Sequence, residues 1–280
     1  MSARPSLATR LPLWTLLRLS AGVYWRELLS TLAITLLVAI PLNGLRQFVP
    51  LSPDWSVRLA WLAVGQIIVG VVGAFSTITI AYRVQAYLGG WSVTPWQAFK
   101  GTLRGGRRLV WTSFWYYAGT VGLGLLGIIG LGFALGPVQS YLRRSLSTPE
   151  FLLLLGVSLT PAILAYVFWT FAQYLASFES LSGAAALVES TQMVKRHWLK
   201  ALLRLTTVGA GIGLVSLAIT VLIVWLPADS RWHFLTGVVG STLISASTSF
   251  SPVFVAVWYF NERGGLNPKR RKSNQKERCF

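Results

Sequence analysis

Eight carboxylates, two histidines and one cysteine are the stock of acid, base, nucleophile and metal-ligand chemistry in these 280 residues. Glu27, Asp54, Glu150, Glu179, Glu189, Asp229, Glu262 and Glu277 all fall near the ends of apolar stretches or in the connections between them. No two of them form an evident pair for general acid and base work. His197 and His233 are separated by a long apolar stretch, which places them on opposite faces of a membrane and denies them a common metal ion. Cys279, the single cysteine, excludes an intramolecular disulfide and a Cys-rich metal site. No catalytic residue, cofactor or metal ligand is expected, and the chain reads as a non-enzyme.

The charged residues that do cluster are basic. Thr94-Pro95-Trp96-Gln97 has the form of a capping box with proline at the first helical position. In the helix it opens, Trp96, Phe99, Leu103 and Val110 share one face and Lys100, Arg104, Arg107 and Arg108 another. This is the pattern of a helix lying at a membrane surface, apolar side toward the acyl boundary and basic side toward water. Lys100, Arg104, Arg107 and Arg108 are therefore the candidate contacts for anionic lipid headgroups, each worth about 1 kcal/mol near a charged surface. Ala184 to Trp198 repeats the arrangement with less charge, setting Leu187, Val194 and Trp198 against Glu189, Gln192 and Arg196.

Gly122-Leu123-Gly124-Leu125-Leu126-Gly127 matches the dinucleotide fingerprint letter for letter, but that motif needs a preceding strand and a later acidic residue. Within an apolar helix, small residues serve close helix approach instead. Gly122, Gly124, Gly209, Gly211 and Gly213 are accordingly expected at helix contacts.

The elements that carry these residues are six apolar stretches, each near the roughly 20 residues a helix needs to cross a bilayer. They run from Leu28 to Leu45, Val57 to Tyr82, Leu109 to Leu135, Phe151 to Phe178, Ala201 to Leu226 and Phe234 to Phe260. Hydrophobic residues make up 54% of the chain and charged ones 12%, well below the quarter usual in soluble domains. The mean hydropathy of +0.58 agrees. Arg18, Arg26 and Glu27 interrupt the first apolar run too early for a cleavable signal, so the first span is expected to be an uncleaved anchor. The fold class is all-α: a polytopic transmembrane bundle of six helices, arranged as three helical hairpins with juxtamembrane amphipathic helices. Residues 1–260 form a single transmembrane domain, and 261–280 a basic, disordered cytoplasmic tail.

Of the 25 Lys and Arg residues, all but Arg46, Arg58, Arg143, Arg144 and Arg231 lie on the side that holds both termini. The positive-inside rule then makes both termini cytoplasmic and the protein a multi-pass component of the cell (inner or plasma) membrane. A formal net charge of +17 would point a soluble protein toward nucleic acid, but here topology and attraction to anionic lipid explain it, and nucleic acid is not an expected partner. Lys269-Arg270-Arg271-Lys272 reads as part of a lipid-touching tail.

The chain also matches itself. A shift of about 87 positions brings Tyr87-Leu88 onto Tyr174-Leu175, Trp111 onto Trp198, and Thr120-Val121-Gly122 onto Thr207-Val208-Gly209. A shift of about 82 brings Trp14 onto Trp96, Arg18 onto Lys100 and Arg26 onto Arg108. Three parallel units, about 11–88, 93–175 and 180–260, each a surface helix followed by two spans, account for these matches; they are not the inverted pair of many transporters.

The segment from Ala184 to Trp198, with the pattern of small residues and one basic residue before a tryptophan, resembles the bacterial six-span family that includes the membrane domain ahead of some glycerophosphodiester phosphodiesterases. Pro252 followed by Trp258-Tyr259-Phe260-Asn261-Glu262-Arg263 is similar to that family's closing helix, with Asn261 where the family favours Asp. The resemblance implies an architecture, and a membrane domain without established chemistry. A role in membrane or envelope organisation, lipid interaction or regulation of a partner follows, with a membrane protein or a second copy as possible partners. The alternative is a facilitator or transporter of a small or lipidic solute through a cavity between repeats.

Overall fold

Long runs without charge become long helices. The computed structural model describes residues 11–36, 55–142, 147–224, 244 and 247–263. Its helices are α1 (Leu13–Arg26), α2 (Trp55–Gly89), α3 (Pro95–Arg104), α4 (Gly106–Leu142), α5 (Thr148–Phe168), α6 (Ala172–Phe178), α7 (Ala184–Lys195), α8 (Trp198–Val224) and α9 (Phe250–Glu262). Residues 28–36 are helical as well, and the described part of the chain is all-helical.

Among the described residues, four stretches are long and apolar enough to cross a membrane: Ala63–Gly89, Gly106–Leu135, Thr148–Phe178 and Trp198–Leu222. Only 33%, 6%, 11% and 6% of their most apolar windows is buried by protein, so most of this surface needs a lipid solvent. The chain is membrane-embedded. The four stretches coincide with the second to fifth expected spans. The first and last expected spans, and the tail 264–280, fall wholly or largely outside the described residues; of those two spans, 28–36 and α9 are seen.

The chain divides into two compact units. The first comprises Met1–Pro41, Phe75–Arg104 and Leu203–Phe280. Its centre is α9, whose residues from Val253 to Asn261 are all buried, in keeping with a helix apolar on every side. Against it packs α1, through Leu16, Ser20 and Val23 and an edge-on contact of the Tyr24 and Phe250 rings at 5.6 Å. The second unit comprises Leu42–Ala74 and Gly105–Leu202, with α4 packed along α5 and α6.

The fourth expected span is not one helix. It breaks at Trp169-Thr170-Phe171, between α5 and α6, and the Ser190 hydroxyl of α7 occupies the break. Ser190 Oγ donates to the Phe168 carbonyl at 2.8 Å and accepts from the Phe171 amide at 3.1 Å. Backbone groups freed inside a membrane protein must find partners, and a side chain inserted into the helical ladder is one recognised way to hold a kink. Ser20 on α1 is buried too, yet its hydroxyl has no hydrogen-bond partner among the described residues. The two serines should therefore respond oppositely. Ser190→Ala orphans two backbone groups and should cost about 1–3 kcal/mol, whereas Ser20→Ala removes an unsatisfied hydroxyl and should be neutral or stabilising. Thermal unfolding of both variants in one detergent reads the difference.

Candidate functional site

Helix α3 starts as its sequence requires. The Thr94 amide donates to Gln97 Oε1 at 2.9 Å and the Gln97 amide to Thr94 Oγ1 at 3.2 Å, the reciprocal pair of a capping box. Its surface then divides in three. Ala98 and Thr102 are buried, and the Thr102 hydroxyl lies 3.1 Å from that of Thr79 on α2. Trp96, 61% exposed, and Leu103, 49% exposed, form a second face, with the Phe99 ring stacked on Trp96 at 5.7 Å. Lys100 and Arg104, one turn apart, form an exposed third face, and Lys100 Nζ stands 5.6 Å from the centre of the Trp96 ring. The two-faced helix read from sequence thus has a protein-facing stripe of small residues as well. At 3.6 residues per turn the apolar and basic stripes are neighbours, roughly 70° apart, and both stand well away from the buried stripe, roughly 130° and 160° around the axis.

The other two candidate basic residues stand on the first turn of α4 in the second unit, Arg107 exposed and Arg108 half-buried. Immediately beyond them Trp111, Phe114 and Trp115 are exposed and in mutual ring contact at 5.6–6.0 Å. Aromatic side chains beside basic ones are the composition of a membrane interface.

Helix α1 divides like α3. Leu16, Ser20 and Val23 are buried, Trp14 and Trp25 are 76% and 71% exposed, and Arg18 and Arg26 are exposed. In α7 the buried stripe is Ala186, Ser190 and Val194; of the residues expected on its apolar face, Val194 lies in that stripe, Leu187 is half-buried and Trp198, at the start of α8, is exposed. The packed faces of these short helices are drawn from small residues, which let a helix approach its support closely.

Two ion pairs flank these helices, and neither was foreseeable from spacing along the chain. Arg83 of α2 forks onto the Glu27 carboxylate, with Nε donating at 2.8 Å and Nη2 donating to the same oxygen. Its Nη1 donates to the Val93 carbonyl at 2.6 Å, in the turn that precedes α3. Arg204 of α8 meets Glu262 at the end of α9 at 3.3 Å, donates to the Leu11 carbonyl at 3.3 Å, and lies 5.1 Å from the centre of the Trp258 ring. Trp258 Nε1 donates to the same Glu262 oxygen at 3.1 Å. Both pairs are largely buried, so they position α1, α3 and α9; they do not offer free charges to a ligand.

Of the glycines expected at helix contacts, Gly124 faces a neighbouring helix among the described residues. A methyl group added at Gly124 would lie 3.8 Å from the Ala162 side chain of α5, but at Gly122, Gly209, Gly211 and Gly213 it would meet no atom of the described residues within 4 Å. Close approaches within helices are instead at Gly127, facing the Ser158 backbone, at Gly119, facing Trp169, and at Gly70, facing Tyr117, among others. Spacing along a helix does not reveal which of several glycine rows meets a neighbour. Among the described residues no group of three or more His, Cys, Asp or Glu side chains is gathered as metal ligands.

No family model, curated protein or solved structure matches this chain.

Proposed function

We propose that this protein is a non-enzymatic, six-span component of the cell membrane, with both termini cytoplasmic, that gathers anionic phospholipid at its cytoplasmic face and so serves in membrane or envelope organisation or in regulating a partner. The observation that carries the reading is the division of α3: small residues buried on the protein, Trp96 and Leu103 exposed on one side, and Lys100 and Arg104 exposed beside them, which suits a helix with its apolar side at the acyl boundary and its charges at the headgroups. The same division in α1 supports it, as does the aromatic cluster beyond Arg107 and Arg108, since each has the composition of a helix at the headgroup level. The short helices α1, α3 and α7 each run into another helical segment within two residues, which supports three similar units.

The test is lipid composition. Purified in mild detergent, the protein should carry phospholipid enriched in anionic headgroups, and the enrichment should fall as salt shortens the Debye length from about 10 Å at 0.1 M toward 3 Å at 1 M. Replacing Lys100, Arg104, Arg107 and Arg108 with Gln should lower the enrichment without altering the melting temperature by more than a few degrees, because exposed charges contribute little to stability. Unchanged enrichment sinks the reading. Robust solute uptake by proteoliposomes under a proton gradient would instead favour a transporter. Reporters fused after Phe280 and between Arg83 and Arg108 should both read cytoplasmic, and one between Gly136 and Glu150 external.

A further inference from the structure

Helix α1 carries an open groove of about 330 Å³, lined by Thr15, Arg18, Leu19, Gly22, Val23 and, from the end of α2, Tyr87. All of these belong to one compact unit. Arg18, Gly22 and Arg26 follow one another at i, i+4 and i+8, so the two guanidinium-bearing positions stand one turn, about 6 Å, on either side of the glycine. The Arg26 guanidinium lies 5.8 Å from the centre of the Tyr87 ring, at the groove wall. Neither arginine is held by a carboxylate among the described residues, in contrast to Arg83 and Arg204.

Gly22 is the telling residue. It sits inside a regular helix, where glycine is worse than alanine, and its backbone is ordinary helical. A methyl group there would meet no atom within 4 Å, so no described part of the chain needs the glycine for packing. What it does keep is the floor of the groove. With Arg18 in the lining, Arg26 one turn beyond Gly22 and close to Tyr87, and Leu19 and the Tyr87 ring for walls, the space calls for an anion at its centre and an apolar group along its side.

We infer that this groove is a discrete binding site for one anionic phospholipid, its phosphate seated over Gly22 between Arg18 and Arg26 and the upper part of an acyl chain laid against Leu19 and Tyr87. The inference rests on the lipid reading above and narrows it to a stoichiometric site on another helix. Apolar walls select a lipid over a free phosphate. Two charge-assisted contacts to phosphate in a partly enclosed groove should resist salt that strips lipid from an open basic face.

Native mass spectrometry of the full chain, purified with phosphatidylglycerol and washed in high salt, tests this. The wild-type protein should retain one anionic lipid. Gly22→Leu should fill the groove and reduce that retention roughly tenfold or more, while Gly22→Ala, a smaller intrusion on the floor, should reduce it by less. Arg18→Gln with Arg26→Gln should release it by removing the charge, a result that does not depend on how Gly22→Leu folds. Inorganic phosphate and glycerol 3-phosphate at millimolar concentration should not displace it. The fourfold Lys100, Arg104, Arg107 and Arg108 to Gln variant should lose salt-sensitive enrichment yet keep the single lipid. Salt-resistant lipid retained equally by Gly22→Leu and by the Arg18 and Arg26 variant, or displaced by inorganic phosphate, overturns the groove assignment; failure confined to the fourfold variant overturns only the general reading of α3.

Discussion

Arg204→Met should destabilise the protein by about 3–5 kcal/mol, the cost typical of breaking a buried ion pair by removing one partner. The guanidinium and the Glu262 carboxylate have only 12% of their side-chain surface exposed, so solvent cannot compensate either when the other is lost. The loss goes beyond one contact. Arg204 also donates to the Leu11 carbonyl just before α1, and lies over Trp258, which itself donates to Glu262. Removing it therefore frees the entry to α1 and leaves a carboxylate at the end of α9, the most buried helix of its unit. Replacing both partners by apolar residues, Arg204→Met with Glu262→Met, should recover much of the loss, because the desolvation penalty disappears with the second charge. A double-mutant cycle read by unfolding in detergent measures the coupling. A single-variant cost below about 1 kcal/mol would place the pair with exposed salt bridges and remove its structural role.

The spans were legible because hydropathy is a local property. Any window through Gly106 to Leu135 or Trp198 to Leu222 reports an apolar helix whatever the rest of the chain does. The capping box at Thr94 was legible for the same reason, its two bonds lying three residues apart. What escaped is long-range. Glu27 and Arg83 are 56 residues apart and Arg204 and Glu262 are 58 apart, so no window contains either pair. Nothing in Phe168 to Phe171 announces the break between α5 and α6, since the hydroxyl that satisfies it comes from Ser190, 19 residues beyond Phe171. The third face of α3 was hidden by chemistry more than by distance: Ala98 and Thr102 have little hydrophobic weight, and only their burial against α2 distinguishes them from neutral spacers. The groove at Arg18 and Gly22 left no mark on the sequence reading, because it is formed by open volume between α1 and Tyr87 of α2.

Gly127→Ala should cost about 1–3 kcal/mol, and Gly127→Leu more, whereas the same changes at glycines in more regular-looking rows should be tolerated. A Cβ at Gly127 would run into the backbone carbonyl of Ser158, a group that no rotamer change can move aside. The only relief is separation of α4 from α5, which sacrifices close packing along the main helix pair of the second unit. Separation also disturbs the far end of α5, where Ser190 must meet Phe168 and Phe171 within about 3 Å to keep the broken backbone satisfied. At Gly209, Gly211 and Gly213 an added methyl meets no described atom within 4 Å, so alanine there should be neutral or stabilise α8 by up to about 1 kcal/mol each through better helix propensity. The contrast separates packing from propensity, since both sets lie within apolar helices and differ in what faces the missing side chain. Unfolding in detergent, with helicity followed by circular dichroism, should show Gly127→Ala melting well below the parent and the triple Gly209, Gly211 and Gly213 to Ala variant at or above it. If the triple variant melts lower, the open face of α8 is covered by something that needs those glycines, and the helix contacts expected from the sequence are regained there.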